Sequence, residues 1–226
     1  MKKIVIAHLY YDLLNLYGES GNISVLKYHL NSLNVETTII KLTVTDSLDF
    51  SDYDLVYIGS GTNDNLALVA KHLIVYKESF RHYIENGGFV LATGNAMSLF
   101  GEYDDIDSLK LFDYVAINTK KYADELVLDA DFLENKLIAF KNTSLAFSIK
   151  NPLFSNNEGF KYNNFYAMNI LGPVLYRNPE LLNYFINKLL DSTQNLSIDI
   201  DNIAYNNYMN WKNKEWFTTN HSFSFY

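Results

Sequence analysis

Cysteine is missing from all 226 residues, which excludes disulfides, thiolate metal sites and any thiol nucleophile. Nothing in the chain calls for an oxidising compartment, and the expected location is the cytoplasm. Basic residues are also scarce: 18 Lys and Arg face 26 Asp and Glu, for a net charge of -8. Binding to a phosphate backbone needs clustered cations, and here only Lys2-Lys3 and Lys120-Lys121 stand side by side, so no nucleic-acid partner is expected. No apolar run approaches the roughly 20 residues that span a bilayer, so no membrane insertion is expected. The opening MKKIVIAHLYYDLL reads as a first β-strand and not as a signal peptide, because His8 and Asp12 interrupt it and no small-residue cleavage site follows. The histidines show no ligand spacing, since His29, His72 and His82 fall on predicted helices and His221 in the tail; no metal and no cofactor is expected.

What is present is enough to build a sizeable core. The apolar share is 48%, which fits one domain over residues 1–192 followed by an Asn-rich and aromatic tail over 193–226. The tail either packs on its own domain or frays, or else docks elsewhere through Trp211 and Trp216.

Strand and helix signals alternate through the first hundred residues, the pattern of βαβ units around a mainly parallel sheet. The pieces KIVIAHLY, VETTIIKL, LVYIGS and FVLAT read as four strands. Between the first two, Asn22 is expected to cap a helix carrying Ile23, Leu26, Leu30 and Leu33 on one face. After the third, Asp64 is the expected cap of a helix running from Leu66 to Ile84, stopped by Gly87-Gly88. A further helix should begin at residues 95–100, and residues 106–150 read as an antiparallel extension or mixed sheet edge. NILGPVL at 169–175 reads as a late strand ending in a turn, and Pro179 opens a last amphipathic helix.

In open parallel sheets ligands bind at the carboxyl ends of the strands, which here means the loops YGESGN, GSGTND and TGNAM. Glycine lets backbone approach a ligand, and helix N-termini nearby offer free N–H groups, although tight βα turns use the same residues. Gly59, Ser60, Gly61 and Asn95 are the candidate binding residues. His8, Asn15, Tyr17, Asn22 and Asn142 are the candidate rim residues, with a satisfied core role as the alternative for His8. Asp12, Glu19, Asp64 and Glu102 are expected to be solvated carboxylates on the same rim. Thr93 and Ser98 are the hydroxyls nearest the fourth loop, and without a neighbouring base they read as backbone-bonded turn and helix groups.

Five segments, LLNLYGESGNI (13–23), YIGSGTNDNLAL (57–68), VLATGNAMSLFG (90–101), FKNTSLAF (140–147) and ILGPVL (170–175), resemble in order and spacing the signatures of CobB/CobQ-type class I glutamine amidotransferases. The likeness is greatest to the glutaminase-subunit branch acting in lipid II amidation. It implies a three-layer α/β fold, flavodoxin-like, with a mainly parallel sheet and helices on both faces. In that family a Cys at the turn after the fourth strand attacks the glutamine amide, and a His before the Gly-Pro turn serves as base. Backbone N–H groups of the third-strand loop and of the residue after the Cys hold the oxyanion. The Cys position matches Gly94 and the His position matches Leu171. The His-Gly of the fourth motif matches Thr143-Ser144, and the substrate-binding Arg has no counterpart beyond the neighbouring Lys121 and Tyr122.

Glycine supplies no nucleophile and leucine accepts no proton, so an unchanged glutaminase mechanism is not expected. The resemblance then implies a retained scaffold with a Mur-ligase-like protein partner. The alternative is a module that binds a small carboxylate, amino acid or phosphate.

Overall fold

The computed structural model describes residues 2–193, 196 and 198–220, with the backbone alone over 213–220. Six strands form one sheet in the order β2-β1-β3-β4-β8-β7. They are β1 (Lys3–Leu9), β2 (Glu36–Leu42), β3 (Leu55–Ile58), β4 (Phe89–Thr93), β7 (Phe160–Tyr162) and β8 (Phe165–Met168). All neighbours run parallel except β7, which pairs antiparallel with β8 at the edge. Two further strands, β5 (Val115–Leu128) and β6 (Leu137–Ser148), form a separate antiparallel hairpin.

Side chains alternate across the central strands and create two cores. Ile4, Ile6, Leu55, Tyr57, Phe89 and Leu91 face α1 (Ser20–Ser32) and α5 (Pro179–Leu190). Ala7, Leu9, Val56, Ile58, Val90 and Ala92 face α2 (Asn63–Leu73), α3 (Lys77–Glu85) and the 3-10 turn Gly94–Leu99. The three-layer α/β arrangement read from the sequence is the one observed.

Several local expectations are corrected. Asn22 does not cap α1: the helix starts at Ser20, and Asn22 is buried within its first turn. Asp64 does not cap α2; Thr62 does, its hydroxyl accepting from the Asn65 N–H, while Asp64 follows in the first turn. The expected single helix to Ile84 is broken by a 3-10 turn at Ile74–Tyr76, where β-branched Ile74 and Val75 meet. Residues 94–99 form a 3-10 helix.

The late strand lies at Phe165–Met168, earlier than expected, and residues 170–173 form a turn before α4 (Val174–Arg177). The hairpin is tied to that turn and is no continuation of the main sheet, since the Leu171 N–H donates to the Phe140 carbonyl and Asn178 bonds both backbone groups of Ile138. Beyond them α6 (Asp199–Asn220) lies against α4 and α5, with the Tyr205 hydroxyl donating to the Lys136 carbonyl. Trp211 is half exposed beside the Tyr208 ring; the side chains of Trp216 and His221 lie outside the described residues.

Among the described residues no helix is long and apolar enough to cross a membrane.

Candidate functional site

The carboxyl end of β4 turns sharply at Gly94, whose φ of +62° lies in the left-handed region that favours glycine. The Gly94 N–H donates to the Ile170 carbonyl, locking this turn to the one that holds Leu171. A Cβ on Gly94 would stand 2.5 Å from the Ser60 Cβ and 2.7 Å from the Leu171 Cδ2. Ser60 and Leu171 therefore fill the space into which a side chain at this turn would project.

The loop after β3 is closed in a similar way. Asn95 Oδ1 accepts from the Gly61 N–H and the Ser60 hydroxyl, and Asn95 Nδ2 donates to the Gly61 carbonyl. A backbone donor that an open loop could offer to an oxyanion is here held by a side chain. Gly59 is packed too tightly to expose anything, since a Cβ there would lie 2.3 Å from the Leu14 carbonyl oxygen.

Beneath the two turns lies a buried polar layer. Glu19 is fully buried, correcting the expectation of a solvated rim carboxylate. Its Oε2 accepts from the Thr93 hydroxyl at 2.6 Å and from the Tyr57 hydroxyl at 3.0 Å, and its Oε1 accepts from the Gly172 N–H at 2.9 Å. Asn22 completes the layer by donating to the Tyr57 hydroxyl and the Gly172 carbonyl and accepting from the Leu175 N–H. Burial pushes the Glu19 carboxyl up to about 7, opposed by the hydrogen bonds from Thr93, Gly172 and Tyr57. Burial, and then the neighbouring Glu19 charge, holds the Tyr57 phenol well above its ordinary value. The Thr93 hydroxyl donates to Glu19 and the Ser98 hydroxyl to the Asn95 carbonyl, and both residues are fully buried, so neither hydroxyl is presented to solvent.

Above the turns is a cavity of about 270 Å3, walled on one side by the β5–β6 hairpin. Ser60, Gly61, Asn95, Tyr17, Asn142 and Leu171 line it, and the Asn142 amide donates to the Tyr17 hydroxyl. Thr143, Ser144 and Lys121 line it as well; Lys121 is exposed and, among the described residues, forms no ion pair. Asn169 stands at the same wall; this buried residue donates to the Leu145 carbonyl, and its buried Oδ1 has no hydrogen-bond partner among the described residues.

The other rim candidates lie elsewhere. His8 is not on the cavity; it is buried against the rings of Tyr11 and Tyr57. Burial, and then the charge of Lys41, pushes its imidazole down to about 4, so it is neutral near pH 7. Asn15 does not reach the cavity and instead accepts from the Ser20 N–H at the start of α1. Asn22 lies below the turns. Tyr57 and Asn169 were missed by the sequence reading. The signal for Tyr57 was a phenol inside an otherwise apolar strand, which must find a polar partner when buried. Among the described residues no group of three His, Asp or Glu could hold a metal ion.

No protein-family model matches the chain. It is 30% identical over 199 residues to the lipid II isoglutaminyl synthase (glutamine-hydrolyzing) subunit GatD of Streptococcus pneumoniae, covering 78% of this chain and 76% of that protein. The chain belongs to the GatD family. A GatD of Staphylococcus aureus is 24% identical over 207 residues, covering 83% of this chain and 85% of its own length. Among solved structures, a glutamine amidotransferase superposes with a TM-score of 0.57 at 15% identity, over 82% of this chain and 98% of that one.

Proposed function

We propose that this chain is a non-catalytic GatD-type subunit. It keeps the amidotransferase scaffold over residues 1–192, with 193–226 as an appended segment. It stabilises or regulates a cytoplasmic Mur-ligase-like partner of lipid II amidation without hydrolysing glutamine itself. The observation that carries this reading is the occupied turn: Gly94 has no side chain, and Ser60 and Leu171 stand where one would go. Leu171 also offers no basic nitrogen, and the Asn95 amide holds the Gly61 N–H that an oxyanion would need. The test is ammonia release from glutamine by the purified chain, alone and with the ligase. No release above background is expected; release at a rate typical of glutaminases would overturn the reading.

A second reading is favoured by Lys121, which lines the same cavity and forms no ion pair among the described residues. An ammonium on a cavity lined mostly by small polar side chains suits a small molecule carrying a carboxylate, such as an amino acid. Isothermal titration with free amino acids tests it. Heat of binding that Lys121→Ala abolishes would support a ligand-binding module, and silence across the set would remove it.

A further inference from the structure

A groove of about 800 Å3 opens away from the Gly94 turn, between α1, the Pro173 turn with α4, and the start of α6. Val25, Gly21 and Pro173 line it together with three large side chains that no neighbour covers: Tyr28, Tyr176 and Ile200 are 71%, 64% and 81% exposed. Single apolar residues scattered over a surface need no explanation, but three gathered around one groove form a contiguous patch of the kind that marks an interaction site.

The charges on the groove are of one sign. Asp199 and Asp201 line it, and no Lys or Arg does so among the described residues. The remaining titratable group, His29, is buried behind Asp201 at 3.5 Å. Two copies of this chain meeting here would bring four carboxylates together in a protein that already carries a net charge of -8. A cationic segment fits instead, because a guanidinium can stack on the Tyr28 and Tyr176 rings while its N–H fork reaches Asp199 or Asp201.

We propose that this groove docks an apolar, arginine- or lysine-bearing segment of the Mur-ligase-like partner. The inference rests on the subunit role proposed above and specifies its surface. The position also connects the docking surface to the cavity. A Cβ on Gly21 would sit 2.7 Å from the Pro173 Cβ, and Pro173 directly follows Gly172, whose N–H is held by Glu19. Leu171 of the cavity wall and Pro173 of the groove wall thus flank Gly172 in one turn.

The test uses the full chain and the purified Mur-ligase-like protein of the same source, with affinity measured by biolayer interferometry. Truncating the exposed patch in a Tyr28→Ala/Ile200→Ala double variant should weaken binding by at least about tenfold, and Asp199→Lys should weaken it and reduce its salt dependence. A Leu68→Ala/Val75→Ala variant, on exposed residues far from the groove, should bind as the parent does, and unchanged melting temperatures will show that all variants are folded. Equal affinity of the parent and the groove variants would overturn the surface while leaving the subunit role standing. No binding by the parent chain would overturn both. A parent dimer dispersed by Tyr28→Ala/Ile200→Ala would assign the groove to a second copy and overturn the cationic partner.

Discussion

The Gly94 turn and the polar layer directly beneath it lie a few ångströms apart and present opposite cases. Above, glycine stands at the turn with leucine opposite, and the loop N–H of Gly61 is held by Asn95. Below, a fully buried carboxylate is retained with three donors converging on it, an arrangement that is costly unless each hydrogen bond is made. The contrast separates two requirements of one site. The shape of the two turns depends on Glu19, Tyr57 and Asn22, whereas Gly94 and Leu171 at the turns themselves carry neither a nucleophile nor a base.

The largest effect should come from breaking the lower layer. Glu19→Ala leaves the Gly172 N–H buried without an acceptor, takes one acceptor each from the Tyr57 and Thr93 hydroxyls, and should destabilise the fold by about 3 kcal/mol, read as a lower urea midpoint at unchanged m-value. Titrating the same group should give a comparable range. Its carboxyl is raised from 4.5 to about 7 in the folded state, so between those pH values the native state holds more protons than the unfolded one. The stability it contributes is full below about 4.5 and is lost as pH rises through about 7, a difference of order 3 kcal/mol. Glu19→Gln should flatten that slope, and the difference between the two urea-midpoint profiles isolates Glu19 from every other carboxylate.

Filling the upper region should be next in size. Gly94→Ala places a Cβ against Ser60 and Leu171 at positive φ, with an expected loss of about 2 kcal/mol by thermal melt. With Ser60 still against that Cβ and the Gly61 N–H still held by Asn95, a Gly94→Cys/Leu171→His double variant should still release no ammonia from glutamine. Asn95→Ala, which removes the cover from the Gly61 N–H beside the cavity, should lose only about 1 kcal/mol. Lys121→Ala should change stability by less than about 0.5 kcal/mol, because the residue is exposed and unpaired. A larger loss at Asn95 or Lys121 than at Glu19 would reverse the comparison.

Much of the scaffold is legible in the sequence because local chemistry fixes it. Four apolar strand segments each run into a small-residue loop, and the order of five motifs defines the family. The departures occur where a residue's partner is distant along the chain. Glu19 looks like a loop carboxylate until α1 brings it over the ends of β3 and β4, beside Gly172, 153 residues away. Asn22 has the composition of a cap but is used to bind Tyr57 and Leu175. Asn169 belongs to a segment that reads as a strand, and its unpartnered acceptor is visible only once the hairpin closes the cavity wall.

By itself, then, the sequence determined the α/β scaffold and the absence of a thiol nucleophile and of a base at Leu171, because strand periodicity and residue identity are local properties. Only the tertiary structure decided that Ser60 and Leu171 occupy the space over Gly94, that Glu19 is buried and shifted, and that three exposed apolar residues meet around one acidic groove. Those depend on which distant segments are brought within a few ångströms of one another, and packing against the sheet is what brings them there.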